Sequence, residues 1–277
     1  NTAVGSDALT DNTTGVENVA FGESALANNT TANNNTALGR TALLTNTTGA
    51  DNTAVGNQAL RFNTTASNNV AVGYLALGAN TTGSPNVAVG KDALLACTTG
   101  ARNTAVGYES MVDAGDGATG NSALGKHTLK SITTGDNNTA IGINAGYSIT
   151  TGSNNVVIGQ ADISNYNGTN QIVIGHQATG KGNNMAVIGD SQVTELWAAE
   201  DGQATVYTGG LVLEGATADA SETTLGLVDP TADRTINLPN QSGTLPVLAA
   251  ASATAITSTP EELNILDGVT SNATELN

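Results

Sequence analysis

A short phrase, Asn-Thr/Val-Ala-Val/Leu/Ile-Gly, recurs at Asn1–Gly5, Asn35–Gly39, Asn52–Gly56, Asn69–Gly73, Asn86–Gly90, Asn103–Gly107 and Asn138–Gly142. Variants end at Gly22, Gly125, Gly159, Gly175 and Gly189, and the twelve glycines stand 17, 17, 17, 17, 17, 17, 18, 17, 17, 16 and 14 residues apart. Two further features keep the same phase: an Ala-Leu pair, as at Ala42-Leu43 and Ala59-Leu60, and a Thr-Thr-Gly triplet, as at Thr47-Thr48-Gly49 and Thr81-Thr82-Gly83. A 17-residue unit is too short for a pair of helices. Within each phrase apolar residues alternate with period two, as in a strand. The repeat therefore predicts an all-β parallel β-roll, or β-solenoid, in which each coil contributes one short strand, and Asn-Thr-Thr-Gly supplies the residues of a tight turn.

In such a stack residue i lies beside residue i+17 at about 4.8 Å, so each position must tolerate a copy of itself. A charge repels its copy, whereas an asparagine amide can both donate to and accept from its copy. This accounts for Asn at Asn18, Asn35, Asn52, Asn69, Asn86 and Asn103 and for a charged fraction of only 12%. Where charges occur they can alternate, as Glu23 followed by Arg40. Both faces of each strand read as buried. We expect the Val, Leu, Phe or Ile before each glycine to fill the coil, and the Ala face to meet a neighbouring subunit. Closed rings of three suit a fibre, although periodicity alone does not set the number.

Composition narrows the function classes. The formal net charge is −16, from 24 acidic and 8 basic residues. That balance opposes nucleic-acid binding, which relies on Lys and Arg at phosphates, and opposes an anionic membrane surface. No apolar run reaches the roughly 18 residues of a membrane helix, so we expect no membrane insertion. The start reads as the middle of a repeat rather than a signal peptide. A single cysteine, Cys97, excludes an intrachain disulfide framework.

The Asn-Thr-Ala-Val-Gly-x-x-Ala-Leu units of residues 1–190 resemble the head repeats of trimeric autotransporter adhesins. That resemblance implies left-handed parallel β-rolls in intertwined homotrimers. The unit here is longer than that family's usual repeat, by the added Asn-Thr-Thr-Gly. Further along, Glu214–Asp219, Thr224–Pro239 and Glu262–Thr270 resemble virion structural and tail-fibre proteins of phages infecting marine cyanobacteria. Composition changes between these parts, since 28 of the 33 asparagines precede Asp190.

Four segments follow: a β-roll over 1–190, a connector over 191–202, a small β-rich domain over 203–248, and short 13-residue fibre repeats beginning in 249–277. Strands are predicted at Ala204–Tyr207, Leu211–Leu213 and Arg234–Leu238. Glu262-Leu263-Asn264 returns as Glu275-Leu276-Asn277, 13 residues on, and Thr259, Pro260 and Glu262 form a helix start. The sequence ends inside this second repeat and reads as part of a longer chain.

Candidate chemistry is sparse. Gly120–Lys126 nearly matches a phosphate-binding loop, but His127 stands where the magnesium-binding Ser or Thr belongs; Gly175–Lys181, followed by Gly182, fails likewise. His127 and His176 fall at different repeat phases, without partners for a metal or a catalytic base, and read as surface residues. Cys97 replaces the usual Asn of a turn. Trp197 reads as a cap at the roll's end. Asp190, Glu195, Glu200 and Asp201 lack calcium-loop spacing, and Glu261-Glu262 show no cleft for hydrolysis. The Asn-Thr-Thr triplets match a glycosylation acceptor, but turn and ladder already require them.

No catalytic, cofactor-binding or metal-binding residue is expected, and no cofactor. The expected role is a non-enzymatic, rigid trimeric segment of a phage tail fibre in the virion. Its expected partners are itself as a homotrimer, other virion proteins and a host cell-surface receptor, a glycan among the candidates, with no nucleic acid. The alternatives are the head of a bacterial trimeric autotransporter adhesin, which would need a signal peptide and membrane anchor in the full gene, and a carbohydrate-processing tailspike, which would need a groove with paired acids.

Overall fold

The computed structural model describes residues 1–193, 210–213 and 223–226. The chain divides into two compact units, Asn1–Glu200 and Asp201–Asn277. In the first, each repeat phrase forms a three-residue strand: β1 (Thr2–Val4), β2 (Val19–Phe21), β3 (Thr36–Leu38), β4 (Thr53–Val55), β5 (Val70–Val72), β6 (Val87–Val89), β7 (Thr104–Val106), β8 (Ser122–Leu124), β9 (Thr139–Ile141) and β10 (Val156–Ile158). After these come β11 (Asp162–Ile163), β12 (Ile172–Ile174), β13 (Thr179–Gly180) and β14 (Ala186–Ile188).

Twelve of these strands make one parallel sheet in the order β1 to β10, β12, β14, while β11 pairs with β13. Register follows the repeat: Ala54 lies opposite Ala37 and Ala71. Eleven steps of ~4.8 Å give this solenoid a length of roughly 53 Å. The second unit is described at one antiparallel pair, β15 (Gly210–Leu213) with β16 (Thr223–Gly226), which matches the strand predicted at Leu211–Leu213. The predicted strands at 204–207 and 234–238, Trp197, the helix start at Thr259 and the 13-residue repeats lie outside the described residues.

The facing of the strands is the reverse of the sequence expectation. Ala20, Ala37, Ala54, Ala71, Ala88 and Ala105 are fully buried inside the coil, while the Val, Leu, Phe and Ile before each glycine point outward. A 17-residue perimeter encloses a narrow interior, and the opposite wall fills it with Leu26, Leu43, Leu60, Leu77, Leu94, Met111 and Leu129, all fully buried. Ala faces them from β2 to β9, and fully buried Val157 and Val173 take the same inward column in β10 and β12. Two adjacent residues, such as Ala59 and Leu60, can both be buried because the chain turns sharply there. Gln58 and Leu60 are left-handed at φ 63° and 50°. Holding a leucine in that region costs roughly 1–2 kcal/mol, and burying its side chain offsets this with about 1.5–3 kcal/mol.

The Leu wall and the turns are stitched by backbone bonds between coils, Leu60 N–H to the Ala76 carbonyl at 3.0 Å and Thr64 N–H to the Thr81 carbonyl at 3.1 Å.

Two asparagine ladders run through the stack. In the first, Asn52 Oδ1 accepts the Asn69 backbone N–H at 3.0 Å, and Asn52 Nδ2 donates to the Ala66 carbonyl at 2.9 Å. Stacking of like residues predicts amide-to-amide bonding. The main link is instead side chain to the backbone of the next coil, repeated from Asn1 to Gln171. The second ladder is amide to amide: Asn29, Asn46, Asn63 and Asn80 each donate to the Asn one coil before. Cys97 ends it, leaving Asn80 Oδ1 buried without a partner, and the column continues in buried Ala114, Ile132 and Ile149.

Glycine closes each strand for two reasons, shown by Gly56. Its φ is +133°, and a Cβ there would lie 2.5 Å from the Gly73 carbonyl oxygen of the next coil. The turn glycine Gly49 has no left-handed φ, but a Cβ there would run into the Ala66 carbonyl oxygen, so it too is held by close approach, even though Ala32 and Ala66 occupy its column in the neighbouring coils.

Candidate functional site: an outward apolar stripe and a tyrosine–lysine cluster

Turning the alanines inward leaves the larger strand residues on the surface. Val4, Phe21, Leu38, Leu124, Ile141 and Ile188 are exposed, and Val55, Val72, Val89 and Val106 are half-buried. A second column beside them carries exposed Val19 and Ile172 and half-buried Val70 and Val87. The result is an apolar stripe along the whole twelve-stranded sheet, with a shallow depression among Val106, Leu124 and Ile141. Scattered exposed apolar residues are ordinary, but a contiguous strip of this kind is a candidate contact surface. Sequence periodicity located these residues and misassigned their side. The signal that separates the two faces is the Ala column of β2 to β9 opposite the Leu column, which leaves little room between the two walls.

Past the strand-closing glycine the chain turns a corner, and the next residue in successive coils is Ser6, Glu23, Arg40, Asn57, Tyr74, Lys91, Tyr108 and Lys126. The expected ion pair forms here, Arg40 Nε to Glu23 Oε2 at 3.3 Å. Farther along, rings and ammonium groups alternate. Lys91 Nζ sits 5.7 Å from the Tyr74 ring centre and 5.2 Å from that of Tyr108, and Lys126 Nζ lies 5.7 Å from Tyr108 on the following coil. On the adjoining face Lys130 Nζ lies 5.9 Å from the Tyr147 ring.

Glu109 ties this cluster together, accepting from Lys130 Nζ at 2.9 Å and lying 3.2 Å from His127 Nε2. The Tyr108 hydroxyl, then Lys130, hold its carboxyl down at about 2. Conversely, the bond to Glu109 raises Lys130 and Tyr108, and the bond to Asp92 raises Lys91.

His127 is thus not a plain surface residue. It is half-buried, with its ring 5.5 Å from Tyr108 and 6.5 Å from Tyr147. His176 is exposed, as expected. The cluster was overlooked in the sequence, although aligning the coils on their glycines puts Tyr74, Lys91, Tyr108 and Lys126 in one column.

The remaining candidates resolve individually. Strand β8 runs through the middle of Gly120–Lys126, and β13 occupies Thr179–Gly180 within the second phosphate-loop match. Cys97 is buried, and burial pushes its thiol up to about 11. Asn29, Asn46, Asn63 and Asn80 of the acceptor triplets are fully buried with bonded amides. Asp190 caps a turn by accepting from the Gln192 N–H at 2.9 Å, whereas Glu195, Glu200, Asp201 and Glu261-Glu262 lie outside the described residues. Among the described residues no group of three His, Cys, Asp or Glu could hold a metal ion, and no helix is long and apolar enough to cross a membrane. Comparison of the chain with protein-family models, with curated proteins and with solved structures finds no match.

Proposed function

We propose that the chain is a non-enzymatic structural segment of a fibre, a homotrimer whose three solenoids pack stripe to stripe and hold receptor-binding elements away from a virion. The observation that carries this reading is the apolar stripe itself. Its side chains repeat every coil, about 4.8 Å apart, over twelve strands. The surface that matches this spacing and length throughout is another copy of the same stripe. Three copies around an axis let every stripe face two others and leave none in water, which closes the assembly. The phage tail-fibre assignment rests on the resemblance of residues 214–219, 224–239 and 262–270 to cyanophage virion proteins. Its partners would be other virion proteins and a host-surface receptor.

The stripe is tested by placing charge on it. Val72→Glu with Val89→Glu buries six carboxylates in the proposed trimer while leaving the coil interior untouched. The double variant is expected to elute as a monomer with the circular dichroism spectrum of the parent. A variant that keeps the parent's native mass would remove the stripe as the subunit contact.

A further inference from the structure

The tyrosine–lysine cluster lies around the corner from the stripe, on side chains of one protomer, and does not depend on the subunit count. Its chemistry differs from that of the outward apolar stripe and of the exposed threonines of the turns. Three of the chain's five tyrosines and three of its eight basic residues meet over five coils. The rings are open to solvent, with Tyr74 at 45%, Tyr108 at 42% and Tyr147 at 39% exposure.

The charges are not symmetric. Lys91 keeps 48% of its side chain exposed while its partner Asp92 keeps 12%. Glu109 is occupied by Lys130 and His127. Lys126 is exposed and has no ion pair among the described residues. Asp113 borders Lys130, and Asp162 lines a depression beside Tyr147 and accepts from the Ser148 N–H at 3.2 Å, so two further carboxylates lie near the cluster. Within a chain of net charge −16, the cluster offers solvent aromatic faces and ammonium groups.

We propose that this cluster is a binding site for an anionic polysaccharide of the polyuronate type, lying along the solenoid axis. Tyrosine faces stack on the C–H faces of pyranose rings, being large and amphipathic, and the ammonium groups meet the sugar carboxylates. Alternation fits a polymer: Tyr74 and Tyr108 are two coils apart, ~9.5 Å, about the length of a disaccharide unit, with Lys91 between them and Lys126 beyond. One such site is weak, and copies in an oligomer would add by multivalency. Single-stranded nucleic acid would also use rings and cations; the chain's net charge of −16 opposes both polyanions alike, and it is the ~9.5 Å ring spacing that favours the disaccharide step.

Binding of the full chain to polygalacturonate is measured by isothermal titration, with dextran as the neutral comparator and oligo-dT as the nucleic-acid comparator. Polygalacturonate is expected to bind and the other two to fail. Tyr108→Ala and Lys126→Ala should each weaken binding by about tenfold, the loss of one such contact, whereas Tyr108→Phe and the distant Lys181→Ala should not. Thermal melts verify that each variant is folded. Absence of polygalacturonate binding, equal binding to dextran or oligo-dT, or binding indifferent to Tyr108→Ala and Lys126→Ala would overturn the proposal. The native mass is read separately, so this result and the failure of the fibre reading are distinguishable.

Discussion

Asn52 concentrates the logic of the roll in one side chain. Its amide satisfies two buried backbone groups at once, the Asn69 N–H and the Ala66 carbonyl. Each buried group left without a partner costs about 1–3 kcal/mol. Because Asn63 Nδ2 also donates to the Ala66 carbonyl at 2.9 Å, Asn52→Ala orphans the Asn69 N–H alone and should destabilise the roll by roughly 1–3 kcal/mol in a denaturant titration; an unchanged midpoint would contradict the ladder. The residue type and its phase were legible in the sequence, because an amide can both donate to and accept from a copy of itself. The actual bonding was not, because side-chain and backbone amides offer the same chemistry.

Glu109 makes the second residue-scale case. Its carboxyl is held at about 2, below the ordinary ~4.3 of an unfolded glutamate. The ionised group therefore stabilises the fold above that ordinary value, and the contribution disappears as pH falls from about 4 through 2. Glu109→Gln should lower the melting temperature at pH 7, with the difference shrinking to nothing near pH 2. A pH-independent difference would contradict this role.

The element is the 17-residue coil, and most of it could be read before any coordinates. Register, strand positions, the closing glycines and the Glu23–Arg40 pair all follow from stacking a sequence on its own copy. The inside and outside of the strand did not follow. Period-two alternation defines two faces without saying which is interior, and the usual rule that larger side chains are buried gave the wrong answer. Left-handed φ at Leu43, Leu60 and Leu77 lets the second wall deliver large residues into a narrow lumen, and Ala is what remains for the strand. Leucine has no special preference for that conformation, so its type gave no warning.

Because neighbouring coils contact one another in the same way, removing one whole coil should be tolerated, as in other solenoids. Deleting residues 57–73 joins Gly56 to Tyr74 in phase, and the shortened protein should melt cooperatively within about 5 °C of the parent. Deleting residues 57–64 breaks the phase and should abolish cooperative melting. Equal tolerance of both deletions would contradict the coil as the folding unit.

At the scale of the molecule, what remains after folding one chain is an apolar strip along the solenoid. The candidate contact surface was therefore half legible. The residues were visible as a column, but the expected alanine interface is replaced by the valine, leucine and isoleucine face. The proposed fibre function depends on that strip being covered by copies of the chain. The most direct measurement is the native mass of the 277-residue chain by multi-angle light scattering after gel filtration. The trimer requires three times the 27.5 kDa chain, about 82 kDa. A stable species at 27.5 kDa would contradict the account and leave the stripe in water.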